Sequence, residues 1–122
     1  MSNKVLNLAL LTSIIGLLIL SYVSESLTPP ASSISSLDSN NLGKNVKVRG
    51  EVLAVHRFEG GSILLTLSDG SGEVEVYIPY GSASILGDNL STDKTLEVIG
   101  ELQTYNGRLE LVPSGPEDVR LL

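Results

Sequence analysis

The chain has 122 residues, no cysteine, no tryptophan, one histidine and a net charge of −6. This excludes a disulfide framework, a thiolate metal site, a cysteine nucleophile and any site needing two histidines from one chain. Only Lys4 and Glu25 are charged outside residues 31–122, so that segment carries the whole negative charge and lacks the basic character usual in duplex binders.

The first element is Val5–Ser24, "VLNLALLTSIIGLLILSYVS", which holds no charged residue. As a helix with ~1.5 Å rise per residue, this run spans ~30 Å, the thickness of a bilayer core. It is longer than the apolar region of a signal peptide. The small-x-small triplet after it, Ser24-Glu25-Ser26, has a carboxylate at its centre. Residues 1–24 are therefore expected to be a transmembrane anchor rather than a cleaved leader. Lys4 precedes the run, and the next basic residue after it is Lys44. Positive flanks stay in the cytoplasm, which places the C-terminal domain outside it. Residues 25–41 read as a Ser/Pro-rich linker, because Pro29-Pro30 cannot continue a helix. Ile34 and Leu37 within it are expected to form a short turn packed against the base of the next domain.

Residues 42–122 form that domain. In "NVKVRGEVLAV", Val46, Val48, Gly50, Val52 and Ala54 share one face, and Lys47, Arg49 and Glu51 the other. A period of two predicts a half-buried strand, and the central Gly50 a bend that lets it serve two sides of a barrel. The loop "HRFEGG" leads to a second strand, "SILLTLSD". Asp69-Gly70-Ser71-Gly72 is a hairpin signal, since glycine accepts positive φ without a Cβ clash. The third strand, "EVEVYIP", turns Val74, Val76 and Ile78 inward and Glu73, Glu75 and Tyr77 outward. Tyr80–Leu90 lacks alternation, and Ile85, Leu86 and Leu90 would share one face of a short helix capped by Ser82 or Ser84. "KTLEVIGEL" turns Leu96, Val98, Gly100 and Leu102 inward and Glu97, Ile99 and Glu101 outward. Tyr105-Asn106-Gly107 predicts a second hairpin, leading to "RLELV" with Leu109 and Leu111 inward. The tail "EDVRLL" is a candidate edge strand.

The fold class is therefore mainly all-β, with five strands and one short helix between strands three and four, preceded by the N-terminal transmembrane helix. A closed barrel buries five inward faces without leaving long open edges. A sandwich and an SH3-like barrel are the alternatives, and the position of the helix favours an OB-fold barrel.

"LGKNVKVRGEVLAV", "ILLTLSDGSGEVEVYIP" and "KTLEVIGEL" resemble the anticodon-binding OB-fold family of aminoacyl-tRNA synthetases and related single-strand-binding OB domains. That resemblance implies a ligand lying across strands two and three, between the first-second and fourth-fifth loops. The residues it points to are His56, Arg57 and Phe58 from one loop and Tyr105, Asn106 and Arg108 from the other. Lys47, Arg49, Thr66 and Tyr77 would lie on or near the face. Aromatic side chains that stack bases, beside cations that meet phosphates, are what single-strand binding requires. Glu73 and Glu75 on the same face would oppose a phosphate backbone, and Glu59 lies beside Phe58. An anchored exterior barrel is also similar to the cytochrome c maturation haem chaperone. The haem-attaching H-x-x-x-Y motif of that family has no counterpart in "LELVPSGPEDVRLL", so neither haem nor any other cofactor or metal is expected.

No residue set has the pattern of a catalytic site, because His56 is single and no G-x-S-x-G precedes a helix. The expected function is a membrane-anchored OB-fold binding module for single-stranded nucleic acid. The alternative is an extracytoplasmic protein- or oligosaccharide-binding OB module.

Overall fold

The computed structural model describes residues 29–122, together with Asn3 and Asn7. Apart from Asn7, the apolar run Val5–Ser24 lies outside the described residues. Among those described, no helix is long and apolar enough to cross a membrane.

Six strands form one sheet: β1 (Asn45–Arg57), β2 (Ile63–Ser68), β3 (Glu73–Ile78), β4 (Thr95–Tyr105), β5 (Arg108–Val112) and β6 (Val119–Leu121). The helix α1 (Tyr80–Leu86) lies between β3 and β4. The strand order is β1-β2-β3-β5-β4-β6, and a further β1–β4 pairing closes the first five strands into a barrel. All neighbours are antiparallel except β3 and β5, which run parallel, with Glu75 opposite Glu110 and Val76 opposite Leu111. This is the OB-fold arrangement. The sixth strand is the tail, paired through Val119–Leu121 to the first half of β4.

Closure depends on the bend in β1. Its first half, Asn45–Glu51, pairs with β4, and its second half, Glu51–Arg57, pairs with β2. At Gly50 a Cβ would stand 2.9 Å from the Ser68 carbonyl oxygen, so only glycine lets the two backbones come this close. Gly100 plays the same part on β4, where a Cβ would stand 2.8 Å from the Val112 carbonyl group. The Asn106-Gly107 turn has φ of +52° and +76°, the two positive values that a tight hairpin with right-handed twist demands.

The interior is aliphatic. Val48, Val52, Leu65, Leu67, Val76, Leu96, Val98, Leu102 and Leu111 are all fully buried. Ile34 and Leu37 join this core, and the stretch from Ala31 to Asn41 is tied to the barrel. Ala31 bridges to Lys47, and the Ser32 amide donates to the Lys47 carbonyl at 2.8 Å. The Ile34 amide donates to Asp69 Oδ2 at 2.9 Å, so the β2–β3 turn holds this segment in place. The Asp69 carboxyl is lowered to about 2, first by its bond from the Ser71 hydroxyl and then by the Ile34 amide.

Two sequence expectations are corrected, and a third gains a partner. Ala54 is exposed, because a β-bulge between Val52 and Ala54 inserts one residue and reverses the alternation, so that Val55 turns inward instead. The helix stops at Leu86 with Ile85 exposed and Pro79 at its start, and neither Ser82 nor Ser84 caps it. Ser82 and Ala83 are buried instead, and the Ser84 hydroxyl donates to the Gly81 carbonyl at 2.9 Å. Glu97 does point outward, but it is buried beneath two arginines. Arg49 Nε donates to its Oε2 at 2.7 Å, and Arg120 Nη2 lies 3.1 Å from its Oε1. These contacts, led by the Arg49 hydrogen bond, hold the Glu97 carboxyl below its usual range.

Candidate functional site

A groove of about 930 Å³ crosses the outer face of β2, β3 and β5 and the end of β4. Its lining is Phe58, Ser62, Leu64, Glu75, Tyr77, Gln103, Tyr105, Asn106, Arg108, Glu110 and Val112. Sheet register explains this set, because outward residues on paired strands stand side by side. One row across the sheet runs Thr66, Glu75, Glu110, Gln103. Two residues further along β3 stands Tyr77, opposite Leu64. β4 runs the other way, so two residues further along it stands Tyr105, opposite Arg108, on the far side of the row. The carboxylate row is thus flanked by Tyr77 on one side and by Tyr105 with Arg108 on the other.

Phe58 enters from the β1–β2 loop. Its amide donates to the Ser62 carbonyl at 3.0 Å and its carbonyl accepts from the Gly61 amide at 2.9 Å, which fixes the loop at the groove's rim. The His56 ring meets the Phe58 ring edge to face, with centroids 4.5 Å apart and planes at 78°. Phe58 is 41% exposed and Tyr105 65%, so both rings have free surface for a ligand.

The electrostatics of the floor are mixed. Arg108 Nη1 donates to Glu75 Oε1 at 3.1 Å. Glu110 has no ion pair among the described residues. Its carboxyl is pushed up, first by partial burial and then by the Glu75 charge beside it. No group of three or more His, Cys, Asp or Glu side chains among the described residues is placed to hold a metal ion.

Of the residues singled out from sequence, Phe58, Tyr77, Tyr105, Asn106 and Arg108 meet in the groove. His56 touches it through Phe58. The other four do not line it. Lys47 and Arg49 lie on the half of β1 that pairs with β4, beyond the bend, where Arg49 is committed to Glu97. Arg57 Nη2 donates to the Leu90 carbonyl at 3.0 Å and so holds the loop before β4. Thr66 faces outward at the β1 end of the carboxylate row, opposite Ala54. Glu73 pairs with Ser68 next to the hairpin turn and also stays outside the groove. Sequence reasoning missed Ser62, Leu64, Gln103, Glu110 and Val112. The alternation of "RLELV" turns Glu110 outward, but nothing local says that β5 lies beside β3.

A comparison with curated proteins finds no match. Among solved structures, the S. pombe Stn1-ten1 complex is similar at a TM-score of 0.54 and 19% identity, over 64% of this chain and 57% of that one. A putative aspartyl-tRNA synthetase from Leishmania major Friedlin is similar at 0.63 and 17%, over 78% of this chain but 21% of that one. An OBody bound to hen egg-white lysozyme is similar at 0.62 and 24%, over 75% and 91%. These likenesses speak to the fold. Residues 46–117, more than half of the chain, match the OB-fold nucleic acid binding domain of the tRNA anticodon type, and the chain belongs to that family.

Proposed function

We propose that this protein is a membrane-anchored module that binds single-stranded nucleic acid in the groove, and that it is not an enzyme. The observation that carries the reading is the convergence of Phe58, Tyr77 and Tyr105 with Arg108 and Asn106 in one groove, in a chain of this family. Aromatic faces accept any base, and a cation beside them meets the backbone. Val5–Ser24 would be the anchor, with the domain outside the cytoplasm.

Fluorescence anisotropy of the purified chain with labelled single-stranded oligonucleotides at low salt tests the ligand. Binding is expected, and Phe58→Ala or Tyr105→Ala should each weaken it by about 1–3 kcal/mol, the usual worth of one stacked base. No binding at low salt rejects this reading. Protease protection on intact cells tests the anchor, and a domain that resists cleavage until lysis would overturn the exterior placement.

The second reading, an extracytoplasmic protein- or oligosaccharide-binding module, draws support from Glu75 and Glu110 on the groove floor. Two carboxylates suit a basic protein segment better than a phosphate. Co-purification from membranes under conditions where oligonucleotides fail to bind would favour it.

A further inference from the structure

Resting on the single-strand reading, we infer that the groove floor reads base edges rather than backbone, and that Glu110 selects guanine. The floor cannot take the phosphates. Glu75 and Glu110 stand opposite each other on parallel strands, and Arg108, the cation that lines the groove, is spent on Glu75. A bound strand must therefore keep its backbone at the rim and turn its bases down.

A base over the carboxylate row lies between Tyr77 and Tyr105. Successive outward positions on a strand are about 6.7 Å apart, so Tyr77 and Tyr105, one position away on opposite sides of the row, are separated by about 13 Å along the strands. A strand laid across the row therefore splays its bases, one onto each tyrosine and one between them over the carboxylates.

The row's chemistry then chooses the base. An ionised carboxylate only accepts hydrogen bonds, so it needs donors. Glu75 already accepts from Arg108, which leaves the Glu110 carboxylate to be answered by the ligand. Guanine offers its N1–H and its N2 amino group side by side, a pair that fits the two oxygens of one carboxylate. Uracil offers one N–H between two carbonyl oxygens, which the carboxylate repels. Adenine and cytosine offer a single amino group each. Gln103, opposite Glu110 on β4, carries an amide N–H₂ suited to guanine O6. The acidic floor that argues against backbone contact thus becomes the selective element.

The test uses the full chain in detergent solution and three labelled oligouridines of about nine nucleotides, within the usual span of one OB barrel. The central position is guanosine, inosine or uridine, and inosine lacks only the N2 amino group. The guanosine probe should bind about fivefold or more tighter than the inosine probe, and the uridine probe weakest, as expected for loss of a paired donor. Glu110→Gln should bring the three probes to within about twofold of each other while binding the uridine probe more tightly than the native chain does, because a repelling charge is gone. A thermal melt checks that this variant folds, and Arg108→Ala serves as a second variant, expected to weaken all three probes alike. Equal binding of the three probes to the native chain overturns the inference and leaves single-strand binding standing. So does a Glu110→Gln chain that keeps the guanosine preference. Failure of all three probes to bind removes the single-strand reading, and the base selection with it.

Discussion

Asp69 shows how much one side chain does in this protein. It accepts from the Ser71 hydroxyl at 2.6 Å, from the Ser71 amide at 2.9 Å and from the Ile34 amide across the interface with the N-terminal segment. All of these favour its charged form, so its carboxyl falls from 3.8 to about 2. A folded value below the unfolded one means stability that is present above pH 3.8 and lost as pH falls through about 2. Asp69→Asn should therefore lower the melting temperature by a constant amount from neutral pH to about pH 4, and by a shrinking amount below it. Circular dichroism melts across that range check the shape of the difference. A turn residue was legible here from "SDGSG" alone. Its second job, holding Ile34, was not, because its partner lies 35 residues away.

Strands were the most legible elements, since a period of two needs only a buried face. The exceptions have physical causes. The bulge after Val52 adds a residue to one strand only, so the phase before it says nothing of the phase after it. The mid-strand glycines marked bends in the sequence, and the structure supplies the reason, which is backbone against backbone. Gly100→Ala should accordingly destabilise by about 1–3 kcal/mol, as overpacking does. Gly60→Ala, where an added Cβ meets nothing within 4 Å, should stay within about 0.5 kcal/mol. Chemical denaturation of the two variants side by side decides this. Arg57 has a contact that no local pattern reveals. A cation next to an aromatic ring in a loop looks like a ligand contact, yet its guanidinium is used to hold the Leu90 carbonyl.

For the whole molecule, closure of the sheet decides what the groove contains. The core extends beyond the barrel strands to Ile34, which is 5% exposed. Ile34→Ala should cost about 2–4 kcal/mol, measured by urea unfolding, which a loosely attached linker residue would not. The net charge of −6 and a single lining arginine also set an expectation for salt. If the groove binds single strands, the plot of log affinity against log salt should be shallow, with a slope between zero and about −1, because Arg108 is paired with Glu75, and not the steep slope of a basic duplex binder. Titration at several salt concentrations measures it. The sequence by itself determined the strand inventory, both hairpin turns, the position of the helix and the aromatic residues of the two rim loops, because each depends on neighbours a few positions away. Only the tertiary structure decided that β5 lies parallel to β3, which sets Glu110 beside Glu75, and that the first half of β1 pairs with β4, which removes Lys47 and Arg49 from the groove. Both follow from closing the barrel, a condition on pairs of strands far apart in the chain that no local pattern encodes.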